Sequence, residues 1–275
     1  MCGRYYLEIS KKDMSFVDNI NNYNFDTSYN ISPQSSVPAI IDNKLITTTW
    51  GYFPRWLKNQ DNPRSLFNSR YESLLEKRTF TSAFKNNRCL IPLSGWYEWK
   101  TEAESRQPYF FYEKNKLQLF AAGLYWNRSN GDIEISIITK EALPPLDSIH
   151  NRSPIILTHT QIEEWLSDKD VNKIYDDLKE IDYSNILFHK VDKAVNNKNE
   201  TSYHYSIQGD EAIPKQFTES SMLNETGNQS HSLRIGLYKI KEDKFTIAVS
   251  DMSNGNVYAA AANNAIFKEN IINNL

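Results

Sequence analysis

Short apolar runs separated by polar turns fill most of the first 140 residues, and few stretches carry a helical period. Residues 1–8 and 38–53 are rich in β-branched and aromatic side chains and predict strands. Residues 71–84 (YESLLEKRTFTSAF) place Leu74, Leu75 and Phe80 at helical spacing. Residues 89–92 predict a short buried strand, and residues 95–99 a strand of alternating aromatics. Further strands are expected over 108–112, 117–124 and 133–139, with Asn130-Gly131 as a turn before the last. A helix is expected to open at Thr160, where Glu163 three residues on completes a capping-box pattern. Many strands and a few helices define an α+β chain with largely antiparallel pairing.

The pattern changes after about residue 209. Residues 210–232 are polar and read as a linker. Strand-like runs follow at 233–240, 245–249 and 257–261, a small β-rich appendage over 233–275 whose sequence carries no evident chemistry. Residues 1–209 form the expected main domain. The chain has 275 residues, enough for a sizeable core. No apolar run approaches the 18 or so residues of a membrane span, and the first residues lack a signal-peptide pattern, so no membrane partner is expected. Two cysteines, Cys2 and Cys89, make neither a disulfide scaffold nor a multi-cysteine zinc site and suit a reducing intracellular compartment. Net charge is −3, but residues 1–100 carry +4 and the remainder −7. A basic first part is compatible with a phosphate-binding groove and equally with scattered surface charge.

The most informative residue is Cys2. Aminopeptidases remove an initiator Met before a small residue, which leaves Cys2 with a free α-amine beside its thiol. With reference pKa values of about 7.7–8.0 and about 8.5, both groups are partly nucleophilic at neutral pH. An aldehyde taken first by the amine and then by the thiol closes a five-membered thiazolidine, the second step being intramolecular. Alternatively the amine acts as base for its own thiol, as in N-terminal-nucleophile hydrolases. Three other polar residues stand in unusual settings. Asn68 precedes the expected first helix, Glu98 lies between Tyr97 and Trp99 in an aromatic strand, and His150 follows a Pro-Pro loop. Singly, each reads equally as a turn former, a solvent-facing strand position or a loop hydrogen-bonder.

Jointly they fall in ordered blocks: Met1-Cys-Gly-Arg4, Trp50-Gly-Tyr-Phe-Pro54, Phe67-Asn-Ser-Arg70 with Glu72, Arg88-Cys-Leu-Ile-Pro92, Gly95-Trp-Tyr-Glu-Trp99, Ala122-Gly-Leu124, Ile149-His-Asn-Arg152 and Val195-Asn-Asn-Lys198. In these blocks, over about residues 2–205, the chain resembles the SOS response-associated peptidase (SRAP) domain family of abasic-site sensors. The resemblance implies a barrel-like core with flanking helices. It implies a monomeric cytoplasmic protein, nucleoid-associated when bound, whose partner is single-stranded DNA or a single-strand/double-strand junction containing an abasic site. The implied reaction is a thiazolidine cross-link between Cys2 and the ring-opened sugar aldehyde, with AP-lyase and self-processing peptidase activity as attendant reactions. By position, Cys2 is the nucleophile, Asn68 positions the reacting groups, and Glu98 and His150 transfer protons. Arg4 and Arg70 are expected on phosphates, and Trp50 and Phe53 at a splayed base. Ser153, Ser69, Tyr71 and Trp96 depart from the family pattern without removing a reacting group. No cofactor or metal is expected, since neither a ligand cluster nor a phosphate-binding glycine loop is present.

Two other classes use the same residues. An N-terminal-nucleophile glutaminase needs an oxyanion-hole Asn-Gly pair, and the pairs here, Asn130-Gly131 and Asn254-Gly255, fall at expected turns. A peptidase would use Cys2, Glu98 and His150. A non-catalytic DNA-binding module is the third alternative.

Overall fold

The structure is a computed structural model that describes residues 2–57, 64–102, 105–114, 116–198, 233–241, 244–251 and 256–260. The chain separates into two compact units, Met1–Ile207 and Gln208–Leu275. The polar stretch 210–232 lies outside the described residues.

The first unit runs β1 (Tyr5–Leu7), β2 (Ser28–Ile31), β3 (Ser36–Ile41), β4 (Lys44–Trp50), β5 (Asn68–Arg70), α1 (Arg78–Asn86), β6 (Arg88–Leu93), β7 (Gly95–Glu102), β8 (Ser105–Glu113), β9 (Leu119–Asn127), β10 (Ile133–Glu141), β11 (Arg152–Pro154), α2 (His159–Leu166), α3 (Val171–Asp177) and β12 (Ile186–Lys190). Strands β10, β4, β3, β6 and β9 pair in that order, and β9 pairs back onto β10, closing a five-stranded barrel. Within this ring only β4 and β10 run parallel. Beyond the end of β4, strand β10 also pairs with β5, in parallel, and with β11. A second sheet has the order β12-β8-β7-β1-β2 and is antiparallel throughout. In the second unit, β13 (Leu233–Lys241), β14 (Lys244–Asp251) and β15 (Asn256–Ala260) form an antiparallel meander.

The sheet and the barrel share one core. Period-2 alternation turns Tyr5, Leu7, Trp96 and Phe111 of the sheet toward Ile40, Ile91, Ala122 and Ile137 of the barrel. Tyr6, Tyr97, Phe110 and Tyr112 have the opposite parity and stack on one another along the other face.

Three elements differ from expectation. Residues 38–53 are not one strand. Asp42 and Asn43 both adopt positive φ (49° and 57°) and turn β3 back into β4, a hairpin made without glycine. The helix expected over 71–84 splits into a single tight turn at Tyr71–Ser73 and α1. Tertiary contacts hold the first turn, because Tyr71 stacks on Tyr175 and Glu72 binds Arg152. Helix α2 begins two residues earlier than expected. Thr158 is its N-cap, and Gln161 returns the bond to the Thr158 N–H.

At the end of β4 the chain must leave the barrel, and Gly51 makes the corner at φ +133°. Its N–H stays bonded to the Ile135 carbonyl, so the corner is held while the backbone bends. A side chain at this φ is strained wherever it points. Gly51→Ala should therefore destabilise the unit by about 1–3 kcal/mol, a fall of at least about 2 °C in melting temperature. An unchanged thermal melt would show that the corner is not constrained.

Candidate functional site

The amino end of the chain is built into the sheet. The β1–β7 pairing, Tyr5 opposite Trp96, continues toward the start of the chain through the Tyr97 N–H to the Arg4 carbonyl (3.0 Å). Cys2 is thereby drawn fully inside, with no exposed surface. Glu98, two residues beyond Trp96 on β7, shares its inward parity and is 2% exposed. Tyr97 and Trp99 flank Glu98 in sequence but point to the other face, so the apolar surroundings of the carboxyl come from the shared core and not from those neighbours.

Asn68 opens β5, where its pairing with Ile137 of β10 fixes it against the same region. Its Nδ2 donates to the Cys2 carbonyl (2.8 Å). Its Oδ1 is buried and has no hydrogen-bond partner among the described residues. His150 ends the turn before β11. The Arg152 N–H donates to His150 Nδ1 (3.1 Å), and Nδ1 lies 3.8 Å from Glu98 Oε2. Arg152 is in turn held by a two-pronged bond to Glu72 (2.7 and 3.0 Å) and a bond to the Thr139 carbonyl. Two sheets thus bring Cys2, Asn68, Glu98 and His150 to one place.

The electrostatics of the place follow from its dryness. Burial raises the Glu98 pKa from 4.5 to about 7, opposed by the positive charges of the amino terminus and Arg106. Burial, reinforced by the Glu98 charge, pushes the Cys2 thiol well above its usual range. Burial thus favours the S–H form of this thiol over the thiolate. Burial lowers His150, helped by the amino-terminal charge, Arg106 and Arg152. A carboxyl that is half protonated near neutral pH beside an imidazole kept neutral is suited to shuttling protons in either direction.

The residues expected on DNA divide. Arg70 is exposed at the end of β5, two residues from Asn68 and on the same face of the strand. Phe53 is partly buried and lines a groove of about 1230 Å³ with Tyr52, Trp56, Trp126 and Arg128. Trp50 does not stack outward. It has no exposed surface, its ring packs edge-on against Tyr5 and Phe67, and its Nε1 donates to the Phe67 carbonyl (2.9 Å). It is a core residue that backs the segment leading to Asn68. Arg4 is committed to protein acceptors: Asn30 Oδ1 (2.7 Å) and the carbonyls of Val195 (3.2 Å) and Asn196 (3.5 Å). With Asn30, which donates to the Val195 and Asn197 carbonyls, it anchors the 195–197 segment while remaining partly exposed.

Three residues escaped the sequence reading. Trp56 is 57% exposed at the groove, and its signal was a tryptophan opening directly into a polar run. Arg106 is exposed yet acts electrostatically on both Glu98 and His150, a relation only the β7–β8 hairpin creates. Asn30 is buried, and nothing local marked it. Among the described residues no group of three or more His, Cys, Asp or Glu side chains is placed to hold a metal ion. No helix among them is long and apolar enough to cross a membrane.

A closed mixed barrel flanked by an antiparallel sheet, with the buried thiol of residue 2 beside a carboxyl and an imidazole, defines an α+β protein with a cysteine site at the second residue. The chain belongs to the SOS response associated peptidase (SRAP) family, whose model matches residues 1–198. It is 32% identical over 188 residues to abasic site processing protein YoqW of Bacillus subtilis strain 168, covering 64% of this chain and 84% of that protein. Abasic site processing protein YedK of Escherichia coli K12 is 27% identical over 214 residues, covering 72% and 95%. A crystal structure of a protein from Bacteroides thetaiotaomicron aligns with a TM-score of 0.60 at 23% identity, over 70% of this chain and 93% of that one, a likeness of fold.

The raised Glu98 pKa has a sign that can be tested in the folded protein alone. The fold favours the neutral carboxyl, so the stability this group contributes is full below about pH 4.5 and is lost as pH rises through about 7. Glu98→Gln keeps a neutral side chain of the same shape at every pH. Between about pH 5 and about pH 8 the wild type should lose more melting temperature than the variant. Parallel pH profiles for the two proteins would show that Glu98 is not desolvated.

Proposed function

We propose that this protein traps abasic sites in single-stranded DNA, or at single-strand/double-strand junctions, by covalent capture on Cys2 after removal of Met1. The observation that carries this reading is the pocket in which Asn68 grips the Cys2 carbonyl while Glu98, its pKa raised to about 7, lies beside both the thiol and His150. The naming of the relatives as abasic site processing proteins supports it.

The chemistry runs as follows. The closed sugar opens when the C1′–O4′ bond breaks, O4′ gaining a proton from the Glu98–His150 pair and the C1′ hydroxyl losing one. The Cys2 α-amine, its N–H accepted by the unpartnered Asn68 Oδ1, adds to the C1′ aldehyde. Protonated Glu98 gives its proton to the departing hydroxyl, so one water leaves and an iminium forms. The resulting carboxylate then takes the thiol proton, sulfur bonds to C1′ as the C=N π bond breaks, and that electron pair moves onto nitrogen to leave a neutral ring amine. A thiol held as S–H cannot attack prematurely. Loss of a proton from C2′ of the same iminium would instead cleave the strand by β-elimination, and ring closure competes with that lyase outcome. A base with a pKa near the working pH serves both the water-loss and thiol steps.

Arg70 is placed to take a phosphate beside the lesion, and Trp56, rather than Trp50, to stack on a neighbouring base. The glutaminase alternative draws no support from Asn130-Gly131. These residues form the β9–β10 turn, with the Gly131 N–H bonded to the Arg128 carbonyl.

Mature protein incubated with single-stranded DNA bearing one abasic site should give an adduct that survives denaturation, with a mass equal to the sum of the two less one water. Cys2→Ala should abolish the thiazolidine, and Asn68→Ala should slow its formation by about 10²-fold, the scale for a lost positioning group. Trp56→Ala should weaken DNA binding by about tenfold, one stacked base. Release of ammonia from glutamine without any DNA adduct would overturn the assignment.

A further inference from the structure

The groove lined by Phe53 and Trp56 contains an ion pair with an unusual target. Arg128, just past the end of β9, and Glu134, near the start of β10, bind each other and are both mostly buried. Together they hold the two main-chain polar groups of a single residue. Glu134 Oε2 accepts from the Phe53 N–H (3.0 Å), and an Arg128 guanidinium nitrogen donates to the Phe53 carbonyl (2.6 Å). Phe53 lies in the segment that leaves the barrel after Gly51, where strand pairing has shrunk to one bridge between Tyr52 and Leu66. The Arg128 guanidinium also lies over the Tyr52 ring (5.4 Å), and that ring stacks on Trp126 (4.0 Å, 8° between planes). One charged pair therefore fixes backbone and aromatic floor together, three residues before the exposed Trp56.

We propose that Arg128 and Glu134 are positioning residues for DNA: they clamp the Phe53 peptide so that the 52–56 segment presents a rigid aromatic wall to an unpaired nucleobase next to the lesion. The inference rests on the function proposed above and extends it to how the strand is held. A clamp is required because the segment has little pairing of its own, and an aromatic wall that must order itself on binding loses affinity to that ordering. Among the described residues, Arg128 and Glu134 bond to each other and to Phe53, whereas Asn68 bonds to Cys2, and His150 faces Glu98. The effect of the pair should therefore fall on DNA engagement and not on the chemistry.

The test measures cross-linking of mature protein against the concentration of a single-stranded oligonucleotide with one abasic site. In parallel, mass spectrometry follows capture of glyoxylate, a small aldehyde that needs no groove. In Arg128→Ala and Glu134→Ala the half-saturating DNA concentration should rise about tenfold, with the rate at saturation and glyoxylate capture changing less than about threefold. Glu134→Gln should restore half-saturation to within about threefold, because its amide oxygen still accepts from the Phe53 N–H. Arg128→Lys should not restore it, since an ammonium lacks the fork that reaches carboxylate and carbonyl at once. Unchanged half-saturation in both alanine variants overturns the proposal. So does a parallel loss of glyoxylate capture, which would make the pair a general support of the fold. If wild-type protein captures no abasic DNA, the underlying reading fails first and the positioning role with it, an outcome visible before any variant is made.

Discussion

A thiol and a carboxyl share one dry pocket because the first residues of the chain are a paired strand. That constraint sets everything else at the site. An ordinary free amino end is solvated and mobile; here β1 lies between β7 and β2, and the backbone pairing carries on to Arg4. Removing Cys2 and Glu98 from water disfavours both charged forms, and their proximity adds to the effect on the thiol. Both groups therefore favour their protonated forms more than they would in water, and the proposed reaction needs those protons moved in sequence. The same desolvation makes Glu98 a local burden on stability above its pKa, a familiar exchange of stability for a tuned group.

Arginines hold the surroundings of this pocket together, mostly through main-chain carbonyls. Arg4 reaches the 195–197 segment, and Arg88 binds the carbonyls of Phe84, Lys85, Trp165 and Ser167 at the ends of α1 and α2. Arg152 joins Glu72 to β10 while its own N–H fixes His150. The planar fork of several donors lets one side chain tie two or three segments, which lysine cannot do. Basic residues in the first hundred positions thus serve the fold as much as any DNA. Their count alone could not separate the two uses, and Arg4 shows why: its sequence position suggested a phosphate ligand, and its hydrogen bonds also make it an anchor.

The strand pattern was legible because alternation is a local signal. Residues 95–99, 108–112, 117–124 and 133–139 read correctly as aromatic and β-branched strands, and the Asn130-Gly131 turn fell between β9 and β10 as expected. The β3–β4 hairpin was missed because Asp42-Asn43 turns without glycine. The break before α1 was missed because tertiary contacts of Tyr71 and Glu72 override a helical period. At the site, residue types were legible and their surroundings were not. The inward direction of Glu98 and the protonated state of Cys2 depend on which sheet face meets the barrel, and Trp50 and Trp56, six positions apart, look alike in sequence but lie on opposite sides of the surface.

Strand β10 relates these features to one another. Near its start, Glu134 holds the Phe53 peptide; three residues on, Ile137 pairs with Asn68; at its end, Glu141 pairs with Arg152, which fixes His150. At about 3.3 Å per residue, the clamp lies about 10 Å from the Asn68 register along this strand. The strand can do this because its two edges are occupied in succession, by β4 and then by β5 on one side and by β9 and then by β11 on the other. Relaxing β10 would misplace a hydrogen-bonding amide, an imidazole and an aromatic wall together. A change confined to the groove end would leave the chemical end paired as before. On the proposed reading, strand capture and proton transfer are thus set by separate stretches of one β-strand's register.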